Sequence, residues 1–125
     1  FDKMVAAHPA RNADAESALD AQFHMAIVEA SHNVIMLHMM RSMYDLLRNG
    51  VFYNRQVMFK QRTTRGDLLD QHRAINDALQ ARDPDAARTA VEAHLDYVER
   101  ALRDQKKAER NEDVARQRLD HETQA

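Results

Sequence analysis

Two stretches in the C-terminal half of the chain, DLLDQHRAINDAL and AARTAVEAHLDYVERAL, repeat apolar residues at helical spacing, and each carries a histidine inside its apolar stripe. Leu68, His72, Ile75 and Leu79 recur on one face. Ala87, Ala90, Val91, His94, Leu95, Val98, Ala101 and Leu102 recur on the other. Between the stretches stands Asp83-Pro84-Asp85, a specific helix start: Asp caps, Pro is preorganised at the first helical position and the second Asp complements the helix dipole. A histidine on a core face must have its ring nitrogens satisfied, because an unpaired buried polar group costs roughly 1–3 kcal/mol. Two of them on neighbouring helices need a shared explanation.

The rest of the composition agrees with helix. Only two Gly and two Pro stand among 125 residues rich in Ala, Leu, Met, Arg, Glu and Gln, so the expected class is all-α, and the length suits a single domain. The 18 basic and 20 acidic residues leave a net charge of -2, which gives this chain no electrostatic footprint for a phosphate backbone. There is no cysteine, so disulfides, thiolate catalysis and Cys-type zinc sites are excluded, and any metal must be held by His and carboxylate. With neither a signal-peptide core nor an apolar run approaching roughly 18 residues, the chain is expected to be cytoplasmic, with no membrane partner.

Taken in order, Phe1, Met4 and Val5 sit at helical spacing before His8-Pro9, like the tail of a helix that begins earlier. A helix is expected from near Asp14 to about Ala30, with Leu19, Phe23, Ala26, Ile27 and Ala30 as its core stripe. Asp20 and His24 lie beside that stripe. Ser31 or Asn33 caps the next helix, Val34 to about Asn49, whose VIMLHMM start is apolar nearly all round. Such a helix is either central in a bundle or shared with a partner chain. Asn49-Gly50 ends it, or VFYNRQVMF continues it. Lys60 to Gly66 reads as a basic solvated loop containing Lys60, Arg62 and Arg65, with Thr63 or Thr64 capping the helix of His72. The helix of His94 is expected to fade after about Leu102. Residues 1–102 then form the bundle, and 103–125 a charged helical extension or disordered tail.

Asp20 and His24, four residues apart, can grip one ion from one helix, and His72 and His94 can close the shell from two others. Imidazole and carboxylate suit Zn(II) or Ni(II) first, with Mn(II) or Fe(II) as further choices. Three His and one Asp leave one or two positions for water or a small carboxylate. Alone, each element has an ordinary reading: D-x-x-x-H arises as a surface pair, and a lone core histidine is more often simply hydrogen-bonded. Their combination favours a metal shell. His8, His32, His38 and His121 keep the ordinary reading. Met36, Met39, Met40 and Met43 read as core or dimer packing before an adaptable binding surface. Arg41 is a secondary candidate for holding a carboxylate ligand, because Arg is the preferred fork for that group.

The run Asp20-Ala-Gln-Phe-His24-Met-Ala-Ile-Val-Glu-Ala-Ser-His-Asn33, then Gln71-His72-Arg-Ala-Ile75-Asn-Asp-Ala-Leu79, then Asp83-Pro-Asp-Ala-Ala-Arg-Thr-Ala-Val-Glu-Ala-His94-Leu, resembles the FadR C-terminal (FCD) effector-binding domain of GntR-family transcriptional regulators. Its lactate-responsive members are the most similar, its pyruvate-responsive members next. The resemblance implies an antiparallel helical bundle with a divalent metal on Asp20, His24, His72 and His94. It also implies a small organic acid as effector, a homodimer, and operator DNA bound through a winged helix-turn-helix domain that this chain lacks. The family's first effector-domain helices would be missing or reduced to Phe1–Val5. Two other readings stand beside it. One is a His/Asp metalloenzyme with Glu29 or Asp70 as base, which lacks an H-E-x-x-H or nucleophile-elbow motif; a non-enzyme is therefore expected. The other is a metal-free helical dimerisation module.

Overall fold

The computed structural model describes residues 1–46, 48–50 and 64–123, and these are all helix and tight turn, with no strand among them. Helix α1 spans Asp2–Ala7 and runs into a 3-10 turn at His8–Ala10. Helix α2 spans Ala13–Ala30, α3 Val34–Ser42, α4 Thr64–Gln80 and α5 Pro84–Thr123. Residues 44–46 and 48–50 add further helical backbone. The architecture is an all-α bundle. None of the described helices is long and apolar enough to cross a membrane.

Three chain reversals share one local device. Arg11, His32 and Arg82 each take left-handed backbone, with φ of 51°, 54° and 53°. Each is followed at once by an Asn or Asp that caps the next helix. Asn12 Oδ1 accepts from Ala15 N at 3.1 Å, Asn33 Oδ1 from Met36 N at 3.0 Å and Asp83 Oδ1 from Ala86 N at 3.0 Å. Left-handed backbone costs a non-glycine residue roughly 1–2 kcal/mol, and a cap of this kind contributes roughly 1 kcal/mol. Ser31 bonds back to Val28 O at 2.6 Å, so Asn33 is the cap of α3.

The core is built from α1, α2, α4 and α5. Met4, Phe23 and Ile75 are its buried centre, and Phe1, Leu19, Ile27, Leu69, Ala90 and Val91 pack around them. In α2 the expected stripe is shifted: Ala26 and Ala30 are exposed, whereas Ser17, Ala21 and Met25 are buried at i, i+4, i+8. The reason is that α2 packs on two sides, against α1 and against α3. In α4 and α5, Leu79 and Leu95 lie outside the contact, at 41% and 57% exposure. Leu95 is about 100° around the helix from His94, and Leu79 sits in the last turn of α4.

Of the two expectations for α3, central in the bundle or shared with a partner chain, the first does not hold within this chain. None of its residues is buried, and Val34, Ile35, Met36 and Met39 are exposed, as is Met43 just beyond it. It is interrupted at Met43, and the helical backbone expected to reach about Asn49 resumes over 44–46 and 48–50. The reading of VFYNRQVMF and of Lys60 and Arg62 lies outside the described residues. Helix α5 runs past Leu102 to Thr123 as a helical extension, not a disordered tail, with nearly every residue beyond Leu102 exposed.

Arg65 is not in a solvated loop. Thr64 and Arg65 already belong to α4 and are buried. The Arg65 guanidinium grips both carboxylate oxygens of Glu16 on α2, with Nε donating to Oε2 at 3.2 Å and Nη2 to Oε1, and Nη2 also donates to the His8 carbonyl at 2.6 Å. One cation thereby joins the 3-10 turn, α2 and α4.

At the α4–α5 contact the Tyr97 hydroxyl donates to Asp67 Oδ2 at 2.8 Å. Burial pushes the Tyr97 hydroxyl from its ordinary 10.0 up to about 12, and the hydrogen bond and negative charge of Asp67 push the same way. A folded pKa above the unfolded one gives stability that is complete below pH 10 and lost as pH rises towards 12. In a Tyr44→Phe/Tyr53→Phe background, phenolate absorbance is expected to emerge only near pH 12, and Asp67→Ala to bring it back towards 10.0. A titration indifferent to Asp67 would remove that residue from the explanation.

Candidate metal centre

The site forms where α2, α4 and α5 meet beside the core. Asp20 and His24 project from α2 one turn apart, His72 from the middle of α4 and His94 from α5. One nitrogen each of His24, His72 and His94 lies within 4.8 Å of the others. Asp20 Oδ1 is 3.1 Å from His24 Nε2 and 3.3 Å from His72 Nε2. Residues separated by up to 74 positions in the chain (94 minus 20) thus converge on one point. The His72 ring is fully buried, His94 and Asp20 nearly so, and His24 is half-buried. The rings pack on one another: His72 and His94 have centroids 4.5 Å apart, His24 and His94 stack at 5.5 Å, and Phe23 meets His72 edge-on at 5.1 Å.

The outer nitrogens fix what the inner ones present. His72 Nδ1 lies 2.7 Å from the Leu68 carbonyl, which only accepts, so Nδ1 carries the proton and Nε2 the lone pair. His94 Nδ1 faces Gln71 Oε1 at 2.8 Å, which likewise directs its Nε2 lone pair inward. His72 Nε2 is buried without a hydrogen-bond partner, although a carboxylate oxygen lies 3.3 Å away. Two electron-rich atoms face each other there. A proton or a metal cation between them removes the conflict, and outer hydrogen bonds from ligating imidazoles to carbonyl-type oxygens are the usual support of a metal shell. The three histidine nitrogens are close enough together to hold a divalent ion, and Asp20 Oδ1 lies against two of them, at 3.1 Å and 3.3 Å. Such an ion would supply positive charge and a coordination position for an oxygen ligand.

Arg41 is placed elsewhere. It is exposed, its Nη2 lies 3.8 Å from Glu29 Oε1, and it lines an open groove with Gln22, Met25, Ala26, Glu29 and Tyr44 rather than with the four candidate ligands. Asp70 is exposed on α4, and His32, His38 and His121 are exposed away from the cluster. Sequence reasoning missed Gln71, although its place immediately before His72 was visible. It also missed Glu16 and Arg65, whose pairing spans 49 residues and leaves no local signature.

Fold and site together define an all-α bundle with a buried Asp/His cluster. The chain belongs to the FCD domain family, whose model matches residues 1–97, and that domain is the one found in GntR-family regulators. Over 90 residues it is 41% identical to the Escherichia coli K12 protein named for regulating the L-lactate dehydrogenase operon, covering 72% of this chain and 35% of that protein. It is 33% identical over 86 residues to the Glc operon transcriptional activator of the same strain, covering 69% and 34%. Its identity to the HTH-type transcriptional regulator LutR of Bacillus subtilis 168 is 32% over 84 residues, covering 66% and 38%. The chain spans about a third of the length of these relatives.

Proposed function

We propose that this chain is the effector-sensing part of a bacterial GntR-type regulator, not an enzyme. In this reading Asp20, His24, His72 and His94 hold a divalent ion, Zn(II) or Ni(II) before Mn(II) or Fe(II), and the ion takes the carboxylate of a small hydroxy or keto acid such as lactate. The regulator acts in the cytoplasm as a homodimer and meets operator DNA through a winged helix-turn-helix domain outside this chain.

The observation that carries the reading is His72 Nε2: a buried lone pair set against a carboxylate with no hydrogen bond between them. A metal-free packing module must place a proton between the two atoms or leave a buried polar atom unsatisfied at a cost of roughly 1–3 kcal/mol; a divalent ion satisfies His72 Nε2 and Asp20 together. The naming of the relatives for operon control, one of them for L-lactate dehydrogenase, supports the regulatory half. Regulation further requires that the acid bind two arrangements of the bundle unequally, because equal binding shifts no equilibrium.

Elemental analysis combined with a thermal-shift screen tests this. The expected result is a bound divalent ion, with lactate, pyruvate, glycolate or citrate raising the melting temperature of the metal-loaded protein and not of the chelated one. Absence of metal with no response to Zn(II) or Ni(II) would favour the dimerisation module. Turnover of an acid by the loaded protein would make it an enzyme.

A further inference from the structure

We infer that the Glu16–Arg65 ion pair is the positioning device of the metal centre, an inference that rests on the metal reading above. Glu16, Asp20 and His24 fall at i, i+4, i+8 on α2, and Arg65 and His72 at i, i+7 on α4. Both spacings return to nearly the same helix face. The α2–α4 meeting is therefore a ladder of two polar rungs: Glu16 to Arg65, then Asp20 to His72 at 3.3 Å.

The first rung is the rigid one. A guanidinium held by both oxygens of one carboxylate is fixed in plane and direction, and here its Nη2 also donates to the His8 carbonyl at 2.6 Å. The second rung is undirected: His72 Nε2 and Asp20 Oδ1 attract each other only through a third, positive species. Without the clamp, α2 can rotate or slide relative to α4, held by the apolar contacts of Phe23 and Leu19, which lack angular preference. Because Asp20 follows Glu16 by one turn, about 6 Å along the axis, an error at the clamp passes directly to Asp20 and His24. The pair is not among the four candidate ligands, and its bonds run to each other and to the His8 carbonyl, so the role inferred is positioning.

A merely structural pair and a positioning pair are separated by the double variant Glu16→Met/Arg65→Met. Replacing both members of a buried ion pair with apolar side chains of similar volume leaves stability near neutral or raised, but it abolishes the directional bond. The expected result is a helical, cooperatively melting protein whose Co(II) or Zn(II) affinity falls about 10–100-fold, the range for supporting groups of metal shells. Its Co(II) absorption should change in position and intensity. Arg65→Lys, which keeps the charge and loses the fork, should fall between wild type and the double variant.

Wild-type affinity and spectrum in the folded double variant would overturn the positioning role while leaving the metal reading intact. Wild-type protein that binds no Co(II) or Zn(II) would instead overturn the metal reading, and with it this inference. Should the double variant not fold, Arg65→Lys decides: an unchanged Co(II) spectrum and affinity would overturn the positioning role.

Discussion

Arg65→Met, made alone, is expected to destabilise the domain by about 3–5 kcal/mol, measured as the shift in a urea unfolding transition. The Glu16 side chain is 6% exposed, so removal of the guanidinium takes the cation from a carboxylate that water barely reaches. It also strips the His8 carbonyl of its donor. A loss of this size is comparable to the whole margin of a weakly stable domain, roughly 5 kcal/mol. The double replacement described above should recover most of it, because the penalty comes from the stranded charge rather than from the missing attraction. A single variant as stable as wild type would show that Glu16 finds another partner or reaches water.

The second large effect is at His72. His72→Ala is expected to remove the bound ion and the stabilisation that it confers, about 2.7 kcal/mol when free metal stands at 100 times its dissociation constant. Chelation should lower the melting temperature of the wild type and leave that of the variant unmoved; exposed His38→Ala should behave as wild type. Metal content unchanged from wild type in both His72→Ala and His94→Ala would eliminate the proposed shell. The comparison must be made with and without chelator, since deletion of a fully buried ring also opens a cavity with its own cost.

Periodicity revealed the helices and most of the candidate site, because the residues concerned obey one rule. His72 with Leu68 and Ile75, and His94 with Val91 and Val98, lie on single faces, and Asp20 with His24 is an i,i+4 pair. Asp83 was readable as a cap from side-chain chemistry alone, and Asn33 as one of two candidates with Ser31. What periodicity could not supply was the direction from which each helix is covered. Ala26 and Ala30 match the α2 stripe but look outward, while Ser17 and Ala21 are buried, on a helix that packs against both α1 and α3. VIMLHMM, apolar nearly all round, reads as central in a bundle or shared with a partner chain, and a window on the sequence does not choose between them; within this chain none of α3 is buried. Arg65, standing in a polar run before Gly66, has the composition of a loop. Its burial follows from a carboxylate 49 residues away, a pairing that no window on the chain contains.

Helix α5 gives the centre a mechanical reach. From His94 to Thr123 is 29 residues of unbroken helix (123 minus 94), about 43 Å at 1.5 Å per residue. His94 is tied to Gln71 and to the other two histidine rings near one end of that rod, and Tyr97 to Asp67 one turn further on. A tilt of about 5° at this fulcrum would displace the far end by about 4 Å. Sub-ångström adjustments among four side chains are thereby magnified at the surface, with the anchored segment acting as the short arm of a lever.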